Sequence, residues 1–121
     1  MASEDILQEL VKQAVPLTKC ITISTAHMTQ SDCELLEKLC RPYRDRNDDF
    51  KWIDESWVFE TEYGFILQLS QREKRLEILR DYGGSTALCR FLEAITKDTG
   101  ISFVLFDRDE HVINNIQSFD W

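Results

Sequence analysis

The chain has 121 residues, 43% hydrophobic and 30% charged, with 22 acidic side chains against 14 basic ones and a formal net charge of −8. This length and balance fit one globular domain with its own core and exclude a disordered or fibrous chain. The shortage of Lys and Arg excludes binding through clustered phosphate contacts, and no apolar run approaches the roughly 20 residues that a membrane-spanning helix needs.

In chain order, Ser3 caps a first helix over residues 4–15, with Glu4 and Asp5 set favourably against its dipole. Ile6, Leu7, Leu10, Val11, Ala14 and Val15 recur at helical spacing, and Pro16 ends the run. Residues 20–25 alternate and are rich in β-branched side chains, which predicts a strand. Thr29 then caps a helix whose Asp32 reaches back as a variant capping box. Leu35, Leu36, Leu39 and Cys40 form its apolar face, and Pro42 stops it.

Residues 43–55 have no clear period and mix charge with Phe50, Trp52 and Ile53, as a surface loop or a recognition excursion does. Two strands follow, over 56–61 and 65–69, with Gly64 supplying a left-handed residue in a three-residue hairpin. Matching parity puts Trp57 and Phe59 on one side of the first of these strands. Residues 71–82 lean helical, Gly83-Gly84 breaks the chain, and Ser85 caps a helix that runs to about Gly100. Residues 102–106 form a buried strand, and a tail with Val112, Ile113, Ile116, Phe119 and Trp121 closes the chain.

Strand–helix–strand–strand–helix–strand is the ferredoxin-like βαββαβ plan. The expected fold is therefore α+β, a single domain over 1–121. An extra N-terminal helix within 1–16 precedes an antiparallel α+β core at 20–121 and is the obvious cover for the sheet's second face. A three-layer arrangement with parallel first and last strands is the alternative.

Charge is uneven along this plan. Residues 1–40 carry 3 basic and 6 acidic groups, residues 41–62 carry 4 and 7, residues 63–97 carry 6 and 4, and residues 98–121 carry 1 and 5. The only net-positive stretch holds Arg72, Lys74, Arg75 and Arg80. The start, Met1-Ala2-Ser3-Glu4-Asp5, is acidic where a secretory leader is basic, so the expected location is cytoplasmic. Cys20, Cys33, Cys40 and Cys89 form no CxxC pair and sit in apolar, periodic segments, which suits free core thiols better than disulfides or zinc.

Two polar signatures flank the core. Ser24-Thr25-Ala26-His27 ends the first strand, where His27 could serve as general base with Ser24 as nucleophile. The bland alternative is a His bonded to backbone. Phe106-Asp107-Arg108-Asp109 ends the last strand, and its paired carboxylates suit either a hard cation or an ordinary turn. The antiparallel plan sends His27 and Asp107 to opposite edges of the sheet, whereas only the parallel alternative brings them together. No metal or cofactor is expected.

The acidic bias of 41–62 with interleaved aromatic rings instead resembles a protein-binding surface. The expected contact set is Asp45, Asp48, Asp49, Trp52, Asp54, Glu55, Glu60, Glu62 and Tyr63.

The Ser24–His27 and Phe106–Asp109 motifs, with the terminal Phe119-Asp120-Trp121, resemble a family of small bacterial proteins known only as a domain of unknown function and met on plasmids, phages and other mobile elements. The likeness spans residues 20–121, and the chain is longer than the family's usual pattern around 41–56. The resemblance implies a setting rather than a reaction: a small acidic inhibitor carried by a mobile element, such as an anti-CRISPR protein. On that basis the expected function is non-enzymatic blocking of a protein partner, a nucleic-acid-handling complex with a basic groove, without direct nucleic-acid or membrane binding. The competing expectations are a small hydrolase or metal-dependent enzyme using His27 with Ser24 or Asp107, and a module that forms a homodimer through a sheet edge or the C-terminal tail.

Overall fold

The computed structural model describes residues 3–40 and 57–121. Among these, four helices and a four-stranded open sheet make a mixed α+β domain. Helix α1 (Ser3–Lys12) leads to β1 (Lys19–Ser24), a 3₁₀ turn (Thr25–His27) and α2 (Gln30–Cys40). After residue 56 come β2 (Val58–Glu60), β3 (Gly64–Gln68), α3 (Arg72–Asp81), α4 (Thr86–Thr96) and β4 (Ile101–Asp107).

The strand order is β1-β4-β3-β2, with β4 parallel to β1 and antiparallel to β3. The antiparallel ferredoxin-like plan is thereby corrected to a mixed sheet. Its error lies in the helix count: α3 is a full helix, so two helical legs separate β3 from β4. The chain reverses once more before re-entering the sheet, and β4 runs alongside β1 instead of against it.

One face of this sheet builds the core. Ile23, Val104, Phe106, Phe65, Leu67 and Val58 point to it and pack against Leu36 and Leu39 of α2, Leu76 and Leu79 of α3, and Leu88 and Leu92 of α4. The local signals mostly hold. The Asp32 N–H donates to Thr29 Oγ1 at 3.1 Å while Asp32 Oδ2 accepts the Thr29 N–H at 3.0 Å, which is the reciprocal capping box. Ser85 Oγ accepts the Leu88 N–H at 3.1 Å and caps α4. Gly83, at φ +99°, closes α3, with the Gly84 N–H reaching the Leu79 carbonyl at 2.7 Å.

Three expectations change. Gly64 does not adopt a left-handed conformation; it is needed because a Cβ there would overlap the Phe106 carbonyl of β4. Trp57 and Phe59 do not share a side, since Trp57 precedes β2 and is buried while Phe59 is exposed. Two arginines of the net-positive stretch are tied to neighbouring elements. Arg75 is buried, with its guanidinium 5.9 Å above the Trp57 ring and bonded to Gln68, and Arg72 donates to the Glu93 carbonyl and Thr96 Oγ1 of α4. Lastly, α1 does not cover the sheet: every residue from Glu4 to Cys20 is exposed.

Of the four cysteines only Cys89 is buried; Cys33 and Cys40 are half-buried and Cys20 is exposed. Among the described residues no helix is long and apolar enough to cross a membrane.

Candidate functional site

The parallel pairing of β1 and β4 brings Ser24 and Asp107 opposite each other in register at the carboxyl ends of both strands. In sheets with parallel strands, ligands collect beyond this end. Three segments converge there. The turn at 61–63 is tied to β4 by the Arg108 N–H donating to the Tyr63 carbonyl at 2.9 Å. The 3₁₀ turn is capped by Ser24, whose Oγ accepts the Ala26 N–H at 3.1 Å. The C-terminal tail folds back over both, with the Phe119 N–H on the Ala26 carbonyl at 2.8 Å and the Trp121 indole N–H on the Met28 carbonyl at 2.9 Å.

His27 fastens that tail. Its Nδ1–H donates to the Gln117 carbonyl at 2.8 Å, and its Nε2 accepts the Ile113 N–H at 3.0 Å. A carbonyl can only accept and an amide can only donate, so the two bonds specify one neutral tautomer. The ring is 2% exposed and stacks on Phe91 at 6.2 Å.

These segments enclose a pocket of about 550 Å³. Phe65, Val112, Phe119, Trp121 and Tyr63 supply apolar and aromatic wall. Glu37, Glu60, Glu62 and Glu110 supply carboxylates, and Arg108 is the one basic side chain among the described lining residues. Its guanidinium lies 5.4 Å above the Tyr63 ring. Cys33 is also in the wall. Its thiol is pushed up from the ordinary value first by burial and then by the charges of Glu37, Glu34 and Glu60. An open hollow with this charge balance and these aromatic walls suits a cation carried on an apolar stem.

The hydrolase residues fall differently from their expected roles. His27 has no ring nitrogen free to take a substrate proton or a metal, because backbone holds both. Asp107 and Ser24 do share one end of the sheet, as the parallel alternative requires, but Asp107 Oδ1 accepts the Asp109 N–H at 2.8 Å, and that carboxylate builds the turn. His111 is exposed beside Glu110 at 3.1 Å.

Of the expected contact set, Glu60, Glu62 and Tyr63 line the pocket, whereas Asp45, Asp48, Asp49, Trp52, Asp54 and Glu55 lie outside the described residues. Sequence reasoning missed Glu37, in the C-terminal half of α2, and Glu110. The terminal Phe119-Asp120-Trp121 motif was the available signal for the tail that completes the wall.

A family model described as "Family of unknown function (DUF5983) C-terminal domain" matches residues 20–121. No curated protein and no solved structure matches the chain.

Proposed function

We propose that this chain, which belongs to the DUF5983 C-terminal-domain family, is a non-enzymatic binding protein that blocks a protein partner by drawing one of its positively charged side chains into the acidic pocket. The observation that carries this reading is the wall itself, lined by Glu37, Glu60, Glu62 and Glu110 with Arg108, whose guanidinium lies over the Tyr63 ring, as the one basic side chain among the described lining residues. An arginine or lysine offers the complementary form: an apolar stem against Phe119 and Trp121, and a cationic head among Glu37, Glu60 and Glu62. Such side chains are concentrated in the phosphate-binding grooves of nucleic-acid-handling complexes, where an acidic protein competes by charge. The resemblance to mobile-element proteins supplies the setting, an anti-CRISPR-like inhibitor acting in the cytoplasm. The enzymatic alternative loses its base, since both His27 nitrogens are engaged by backbone.

Titration with Nα-acetyl-argininamide and its uncharged citrulline counterpart, followed by amide and indole NMR shifts, tests the reading. The arginine compound is expected to move Tyr63 and Trp121, the citrulline compound to leave them in place, and Glu60→Gln with Glu62→Gln to abolish the response. Equal responses to the two compounds would overturn it.

A further inference from the structure

The sheet has a second face, and no described helix packs on it. Register places Thr22, Leu105, Ile66 and Phe59 in one row across all four strands, with Cys20, Phe103 and Gln68 in the next. Phe59 is 44% exposed, and Ile66, Phe103 and Leu105 are only partly covered and stand apart from the core cluster. A sheet face this apolar ordinarily carries a layer of helix.

The same chain holds an unpartnered helix. On α1, Ile6, Leu7, Leu10 and Val11 form one stripe at i, i+4 spacing and are 40–58% exposed. Its polar side carries Glu4, Asp5 and Glu9 against Lys12, which does not suit an anionic lipid surface.

In this structure α1 stands off its own sheet, and its end is sharply defined. Ala14 sits at φ +57°, its N–H donates to the Val11 carbonyl, and the Val15 N–H donates to the Leu10 carbonyl, both at 3.0 Å. This is a Schellman stop made with alanine where glycine is usual, and Pro16 follows at once. A helix end built this way fixes where α1 stops and turns the chain toward Pro16.

We propose that two copies of this chain dimerise by reciprocal exchange, the α1 stripe of each packing on the second sheet face of the other. The two-fold makes the helix-on-sheet contact twice, which favours reaching the roughly 1,000 Å² or more that a specific interface needs. The inference is independent of the acidic pocket, whose walls include none of these residues.

Light scattering on the intact chain, and on a Leu7→Glu/Val11→Glu variant, tests the dimer. Because α1 adds nothing to the core, these substitutions leave the domain folded, which circular dichroism checks. The intact chain is expected at twice 14.2 kDa and the variant at the monomer mass. A monomeric intact chain, or a dimer that survives the substitutions, overturns the proposal. Cys20 on the open face provides the geometric arm. With Cys33 and Cys40 replaced by serine, Leu10→Cys is expected to form a disulfide with Cys20 between chains. A disulfide within one chain would show α1 folding onto its own sheet, and it too would overturn the exchange.

Discussion

Asp32 and Ser85, 53 residues apart, meet where two helices begin. Asp32 Oδ1 accepts the Ser85 N–H at 2.7 Å, and Oδ2 accepts the Ser85 hydroxyl at 2.6 Å. The same carboxylate caps α2 through Thr29, and the same hydroxyl caps α4 through Leu88. One fully buried acid thus satisfies amide donors at the heads of two of the three helices that pack on the core.

Asp32→Ala is expected to cost about 3 kcal/mol, because it removes a cap and leaves the part-buried Thr29 and Ser85 amides without this partner. Ser85→Ala should cost about half of that. Urea denaturation of both single variants and the double variant measures the link. A double variant whose loss equals the sum of the singles would mean that the two residues act separately.

His27→Leu keeps the bulk of the ring and removes both of its bonds. It should release the tail while β1 and β4 stay paired. Hydrogen exchange is expected to accelerate at Ile113 and Phe119 well before Val104, and Trp121 fluorescence to shift to the red. Unchanged protection at Ile113 would show the tail to be held by other contacts.

The thiols predict an alkaline weakness. Burial raises the Cys33 and Cys89 thiols above 9.0, the Glu37, Glu34 and Glu60 charges adding to it at Cys33. The unfolded chain therefore loses these protons first as pH rises past 9.0, so stability is unaffected by these groups below that value and falls above it. At Cys33, Glu37→Gln and Glu60→Gln should each speed alkylation at pH 8 by lifting part of the negative field. Rates that do not change would place the carboxylates too far away to matter.

Gly64→Ala drives a methyl into the Phe106 carbonyl, and neither strand can retreat without breaking the β3–β4 register. The expected loss is about 3 kcal/mol or more. Gly83→Ala meets no atom and pays only for its positive φ, about 1 kcal/mol. Thermal melts that rank the two variants in the opposite order would refute this account of Gly64.

What the sequence by itself determined is local. The Thr29–Asp32 capping box, the Ser85 cap, the Gly83 stop and the periods of β1, α2 and α4 are all legible because each depends on residues within one or two turns of each other. Strand direction was not legible. It depended on whether 71–82 counts as a full helix, and its buried Arg75 disguised an inward face as a charged one. The pocket was half legible: Glu60, Glu62 and Tyr63 announced themselves by composition, while Glu37, Glu110 and the tail reached it only through the fold. Only the tertiary structure decided that His27 is a clasp rather than a base, because its partners are backbone groups 86 and 90 residues away, and backbone leaves no signature in sequence.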